Sequence, residues 1–146
     1  MSKYLKRLIT ACLVVCMTAC IGILAAACND GDDFTYPDSI NVTALLDDGT
    51  AVAGVSVQIC TVNDDGTADG AKCKLPKATN AQGVASIAVT ENDGYKFEVH
   101  ITSIPAAYAN YKYVDANGTP YAAGAGARID VKESANITVK LAIVAD

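Results

Sequence analysis

The chain has 146 residues, of which 51% are hydrophobic and 18% are charged, so it can bury a core and is not a disordered polypeptide. Its formal net charge is −5, and Lys3, Lys6 and Arg7 supply part of its 11 bases at the very start of the chain. Without them, 16 acids face 8 bases, and this negative excess argues against nucleic-acid binding and against docking on anionic lipid heads.

The N-terminal segment joins a basic start, MSKYLKR, to an uncharged apolar run over residues 8–27 and to LAAAC, which ends at Cys28. These features resemble a bacterial lipoprotein signal peptide, in which the cysteine after the small residues becomes the lipid-bearing first residue. The resemblance implies a cleaved leader over residues 1–27, palmitate or a similar acyl chain on Cys28, and membrane attachment. Cys20 is an alternative lipidation site, and a retained N-terminal anchor helix is an alternative to cleavage. Either way, the basic flank stays inside and the remaining chain lies on the extracytoplasmic face.

Beyond the leader, apolar and polar residues alternate between turn clusters rich in Gly, Asn and Asp, which is typical of β-strands. The pattern predicts strands in INVTALL, GVSVQIC, VASIAV, YKFEVHI, IDV and NITVKLAIV, with YKYV as a further candidate. No segment outside the leader has a convincing helical period with caps. Residues 39–146 are therefore expected to form an all-β domain, a single β-sandwich of about seven strands. The acidic residues 28–38 would be a short solvated tether between the lipid and this domain.

Four turn elements of this domain, found in DGTAVAGVSVQI, TNAQGVASIAV, DGYKF and IPAAY, resemble those of the prealbumin-like (transthyretin-like) sandwich. Close relatives of that family are the Cna protein B-type repeats and the carboxypeptidase regulatory-like domains. The matching residues are Gly49, Val52, Gly54, Val57, Thr79, Asn80, Gln82, Gly83, Gly94, Tyr95, Phe97, Pro105 and Tyr108. The resemblance covers residues 39–146 and implies a Greek-key-type topology.

Two activities of such domains are not expected here. Many B-type repeats form a lysine–asparagine isopeptide bond promoted by a buried acid, but INVTALL has no lysine and Glu98 falls on the outward side of its strand. Related transthyretin-like hydrolases use clusters of histidine and arginine and a C-terminal Tyr-Arg-Gly-Ser, whereas this chain has one histidine and ends in LAIVAD. That histidine, His100, points outward from its strand, where we expect a solvated residue rather than a general base.

The segment CTVNDDGTADGAKC contains the two cysteines of the predicted sandwich, Cys60 and Cys73. Two thiolates cannot complete a tetrahedral zinc site, and the spacing is not Cys-x-x-Cys. In an exported domain such a pair is expected to form a disulfide, which here would close a loop at the edge of a sheet.

The acids between these cysteines, Asp64, Asp65 and Asp69, offer oxygen ligands suited to calcium. Aligning Gly66 with the invariant glycine of an EF-hand loop, however, puts Thr61 and Lys72 where acids are required. Asn and Asp beside Gly are also what a tight turn requires. No metal or other cofactor is expected.

Residues 103–128 form a long predicted loop, and such loops tend to carry function. Tyr108, Tyr111, Tyr113 and Tyr121 are a candidate platform for sugar rings or a partner protein, although they are equally suited to cover the end of the sandwich. We expect a non-catalytic cell-envelope lipoprotein that serves protein interaction, adhesion or structural support. The alternative is a surface lipoprotein that binds carbohydrate or another small ligand through this loop. Its expected partners are the membrane and a surface protein or glycan, not nucleic acid.

Overall fold

The structure, a computed structural model, describes residues 34–144 and is mostly β, with two sheets in a sandwich-like arrangement. The predicted leader, the lipidation site Cys28 and the first part of the tether lie outside the described residues. Within residues 34–144, no helix is long and apolar enough to cross a membrane.

The described chain contains nine strands and two short 3-10 helices. The strands are β1 Ser39–Leu46, β2 Ser56–Val62, β3 Ala68–Cys73, β4 Lys77–Ala78, β5 Val84–Ala88, β6 Lys96–Ser103, β7 Tyr111–Val114, β8 Ala127–Asp130 and β9 Asn136–Ile143. The helices are Glu91–Asp93 and Ala106–Tyr108. About seven strands were expected, and the difference arises largely because the segment after β2, predicted as a loop, contributes both β3 and β4.

The first sheet has four strands in the order β5-β1-β9-β7, and the second has the order β3-β2-β6-β8 with β4 also paired to β2. Strands β1 and β9 run parallel, whereas the other described pairs are antiparallel. The first and last strands of the described chain, β1 and β9, therefore lie side by side in the middle of the first sheet. Strands β7 and β8 are edge strands, one in each sheet, and the chain between them passes from one sheet to the other.

Alternation along the strands places one row of apolar side chains from each sheet in a shared core. Ile40, Val42 and Ala44 of β1 are fully buried as predicted, and Phe97 of β6 is among the largest buried side chains. Alternation in YKFEVHI and NITVKLAIV also predicts that Tyr95 and Ile143 face inward, but they are 41% and 65% exposed. Tyr95 immediately precedes β6, Ile143 is the last residue of β9, and both lie outside the cluster of buried residues that forms the core.

Two of the four turn elements found in the sequence are joined by a buried threonine. The Thr79 hydroxyl donates to Val52 O at 2.6 Å and accepts from Val55 N at 3.0 Å, so it joins the second element to the first. Gly83 ends the second element with φ +74°, and a Cβ there would lie 2.8 Å from Ala44 O. Only glycine suits both that conformation and that space.

Candidate functional site

Tyr113 fixes the place where the chain crosses between the sheets. It lies on β7 opposite Leu141, and its hydroxyl accepts from Ala127 N at 2.8 Å and donates to Val99 O at 3.3 Å. Gly126 then passes so close to β6 that a Cβ on it would collide with Val99 O. Strand β7 of the first sheet is thus hydrogen-bonded to β6 and β8 of the second sheet. The chain just before β8, at Gly126, is held against β6.

The crossing leaves a groove of about 930 Å³ on the second sheet, which we call the disulfide groove. Its lining consists of Gln58, Cys60, Ala68, Gly70, Cys73, His100, Ile101, Thr102, Ser103, Ile104, Ala109, Lys112, Tyr113, Pro120, Tyr121, Ala122, Ala123, Gly124 and Ala125. Strand β8 pairs with β6 only as far as Val99, so the second half of β6 borders the groove instead of another strand. The groove therefore exists because β8 is half as long as its neighbour.

The predicted disulfide between Cys60 and Cys73 is confirmed, and it lies in this groove. The two cysteines are direct partners across β2 and β3, with their Cα atoms 3.9 Å apart. Strand β3 is at the edge of the second sheet, and besides the cysteines only Val62 and Ala68 are in register between β2 and β3. The bond consequently holds in place the edge strand that forms one wall of the groove.

Two acids of the β2–β3 hairpin, Asp65 and Asp69, accept hydrogen bonds from backbone amides two residues further along the chain. The Asp65 carboxylate accepts from Thr67 N at 2.8 Å and from Thr67 Oγ1 at 2.6 Å, and these hydrogen bonds lower the pKa of Asp65. Asp69 accepts from Ala71 N at 3.0 Å, and Asp64 borders a different groove. Among residues 34–144, no group of three His, Cys, Asp or Glu residues could hold a metal ion.

Glu98 and its partners form a charged cluster beside the groove. Glu98 lies on the outward side of β6 as predicted, yet it is only 6% exposed. Its Oε2 lies 3.1 Å from Arg128 Nε, and its Oε1 lies 3.6 Å from Nε2 of His100, which is half-buried rather than fully solvated. Arg128 also donates to Gly66 O at 2.5 Å. No local pattern in the sequence marks Arg128 as a partner of Glu98, because its position opposite Glu98 depends on the pairing of β6 with β8.

The four loop tyrosines do not form one platform. The rings of Tyr108 and Tyr111 are 5.5 Å apart and pack against the core. The rings of Tyr113 and Tyr121 are 4.4 Å apart, and only these two of the four line the disulfide groove. Burial raises the pKa of both Tyr113 and Tyr121, and the nearby carboxylates of Asp115 and Glu98 add to the rise at Tyr121. Both phenol groups are therefore uncharged at ordinary pH, and their rings form part of the wall of the groove.

A second groove, of about 650 Å³, lies at the other end of the second sheet. Its lining mixes basic and acidic side chains, among them Asp64, Lys132 and Glu133. Lys132 Nζ lies 4.4 Å from the centroid of the Tyr95 ring, a distance that allows a cation–π contact. The disulfide groove differs, because its lining contains Lys112 and His100 but no Asp or Glu from the described chain.

No known protein family, curated protein or solved structure matches this chain.

Proposed function

We propose that this protein is a non-catalytic binding module, anchored by lipid on Cys28 to the extracytoplasmic face of a bacterial envelope, and that it holds its ligand in the disulfide groove. The observation that supports the binding role is the groove itself. Its volume of about 930 Å³ falls within the range of about 300–1,000 Å³ that is typical of small-ligand sites. Its walls combine aromatic rings with polar side chains, as such sites usually do.

The geometry around His100 supports a non-catalytic role. A general base needs a free nitrogen close to the proton that it removes, and a nucleophile needs such a base within hydrogen-bond reach. The Thr102 hydroxyl, two residues from His100 on β6, donates its proton to Ser56 Oγ at 2.8 Å, so it is not hydrogen-bonded to the imidazole as an activated nucleophile would be. We therefore assign these residues to the floor of a binding site and propose no cofactor.

For the fold, we propose a prealbumin-like sandwich of Greek-key type over residues 39–146. The support is that the first two of the four turn elements that carry the resemblance are joined by the Thr79 hydroxyl and that the second of them contains a glycine turn at Gly83. The acidic segment 28–38 would then link the sandwich to the lipid. At about 3.3 Å per residue it spans at most about 35 Å, which keeps the module close to the membrane surface.

Lipidation is tested by growing cells that express the full chain with an alkyne-tagged fatty acid and measuring label on the protein. We expect label on the wild type and on Cys20→Ser, and none on Cys28→Ser. Label that persists in Cys28→Ser and disappears in Cys20→Ser would reject the assigned site. An unlabelled wild type would support the retained anchor helix.

Ligand binding in the disulfide groove is tested by a substitution that fills the groove with a large side chain. Ala123 is an exposed residue of its lining, whereas Ala81 is equally exposed but lies in the turn before β5. On a glycan array probed with full-length protein in detergent micelles, we expect Ala123→Trp to lose signals that Ala81→Trp retains. Wild-type signals that survive in Ala123→Trp would place recognition elsewhere on the domain.

A protein-docking role is the second candidate, and it rests on Leu75. This side chain is 88% exposed in the segment between β3 and β4, beside Lys74 and Lys77. Lys74 is paired with Asp93 at 2.6 Å, so the second candidate rests on the exposed apolar side chain beside Lys77, which fits an acidic protein surface better than a sugar. Leu75→Ser should then weaken co-purification of a cross-linked envelope protein, while Ala123→Trp leaves it unchanged.

A further inference from the structure

Three segments of the domain match Asn-x-Thr, the acceptor pattern for N-linked glycosylation of exported proteins, in which the middle residue is any except proline. They are NVT at residues 41–43, NGT at residues 117–119 and NIT at residues 136–138. Because an enzyme must reach the asparagine amide and the threonine hydroxyl together, the acceptor has to lie on an accessible loop. The structure places only one of the three matches on such a loop.

The first and third matches lie in the middle of the first sheet and pair with each other. Asn41 of β1 and Asn136 of β9 are direct partners, and Asn41 Nδ2 donates to Asn136 Oδ1 at 3.1 Å. Residues 41–43 pair with β5 as well as with β9, and Val42 is fully buried in the core. An enzyme could draw either segment into its own site only by separating β1 from β9, so we exclude both matches.

The second match lies in a tight turn just after β7. Asp115 N donates to Thr119 O at 2.8 Å and Gly118 N donates to Asp115 O at 3.1 Å, so the turn is closed by its own backbone. Gly118 has φ +80°, which glycine adopts without strain. Asn117 and Thr119 are exposed, and only their backbone amides are bonded, to the Asp115 carboxylate at 2.8 and 2.9 Å. Within residues 34–144, both side chains of the acceptor pattern are therefore available to an enzyme.

The surroundings of this turn leave room for a bulky group. A Cβ built on Gly118 would meet nothing within 4 Å, and exposure continues from Ala116 to Pro120. Asn117 lines neither of the two grooves described above. A glycan on Asn117 would consequently replace no packing contact of the core and would leave the lining of both grooves unchanged.

From the placement of the three matches, we infer that Asn117 is the acceptor of an N-linked glycan. In the reaction, Asn117 Nδ2 forms a bond to the anomeric carbon of an oligosaccharide that is carried on a lipid pyrophosphate. The bond between that carbon and the pyrophosphate oxygen breaks, the lipid pyrophosphate leaves with the electron pair, and the amide nitrogen releases one proton. The inference goes beyond the proposed function, because it uses the proposed extracytoplasmic location but not the disulfide groove.

The test incubates purified full-length protein in detergent micelles with a purified bacterial oligosaccharyltransferase and its lipid-pyrophosphate-linked oligosaccharide. Intact mass spectrometry should show the gain of one glycan on the wild type, and peptide mapping should locate it on Asn117. Asn117→Gln and Thr119→Ala should gain nothing, whereas Thr119→Ser, which keeps a hydroxyl group, should still be modified. Asn136→Gln is the matched control, because it removes an exposed asparagine of the same pattern from a paired strand, and it should be modified like the wild type.

A synthetic acceptor peptide shows that the enzyme is active, and equal melting temperatures should show that the variants keep their fold. Under those conditions, an unmodified wild type, a glycan retained by Asn117→Gln, or a glycan mapped to Asn41 or Asn136 would overturn the inference. The full chain should also be modified when it is expressed in cells that carry the same enzyme. Modification of the purified protein without modification in these cells would support the acceptor site and contradict the proposed extracytoplasmic location.

Discussion

The hydroxyl group of Tyr113 is expected to stabilise the junction between the two sheets, and Tyr113→Phe removes that group alone. In the wild type, this hydroxyl accepts from Ala127 N at 2.8 Å and donates to Val99 O at 3.3 Å. Phenylalanine keeps the ring, its packing on the core and its contact with Tyr121. What changes is that the amide at the start of β8 loses its acceptor where water has little access.

A buried polar group left without a partner costs about 1–3 kcal/mol. Since Tyr113 is half-buried and water can partly replace the hydroxyl, we expect Tyr113→Phe to lower the free energy of unfolding by about 1–2 kcal/mol. For a domain of this size, each kcal/mol corresponds to a decrease of about 4 °C in the melting temperature. Tyr111→Phe is the matched control, because Tyr111 lies on the same strand and faces the same core. Its loss should be at most about 0.5 kcal/mol.

The assay is urea unfolding of the full-length protein in detergent micelles, followed by far-UV circular dichroism. Hydrogen exchange read by NMR provides a local measurement, in which the Ala127 amide should exchange faster in Tyr113→Phe. Equal unfolding free energies for Tyr113→Phe and Tyr111→Phe, with unchanged exchange at Ala127, would refute the proposed role of the hydroxyl.

Three further predictions concern the same junction and the adjacent hairpin. Gly126→Ala should lower the free energy of unfolding by about 2 kcal/mol or more, because its Cβ collides with β6. Gly70→Ala, whose Cβ would meet nothing within 4 Å, should change it by less than about 0.5 kcal/mol in the same melts. Opening the disulfide by Cys60→Ser with Cys73→Ser should cost about 3 kcal/mol in the loop-entropy estimate, and a wild type with two free thiols by mass spectrometry would contradict the bond. Because burial raises the pKa of Tyr113, the wild type should lose stability as pH rises above about 10, where the unfolded tyrosine ionises but the folded one does not. Tyr113→Phe should show a shallower alkaline loss in a pH series, and equal slopes would exclude this effect.

Several features of the fold could be predicted from local patterns. Alternation identified β1, β2, β5, β6 and β9 together with their buried faces, because side-chain direction in a strand follows residue parity. The compartment expected from the leader favoured the pairing of Cys60 with Cys73. Strands β3 and β4 were missed, since their sequences are short and polar and owe their extended form to pairing with β2.

The candidate site was predicted only in outline. The sequence pointed to the loop of residues 103–128, and that loop does border the groove. The sequence pattern does not distinguish the four tyrosines, whereas in the structure Tyr113 is a half-buried residue whose hydroxyl is hydrogen-bonded and Tyr108 packs on the core. A tyrosine serves as core, junction or surface according to what covers it, and that covering comes from distant parts of the chain.

The sequence by itself determined most of the strands, most of the side chains that they bury and the pairing of Cys60 with Cys73, because these properties follow from neighbouring residues and from the small number of partners available. Only the tertiary structure decided that Glu98 is buried against Arg128, that Arg128 reaches the carbonyl of Gly66, and that a groove without carboxylates opens beside them. Those features join residues 30 and 62 positions apart in the chain. They depend on the pairing of β6 with β8 and on where β8 ends, and neither is encoded in any local pattern.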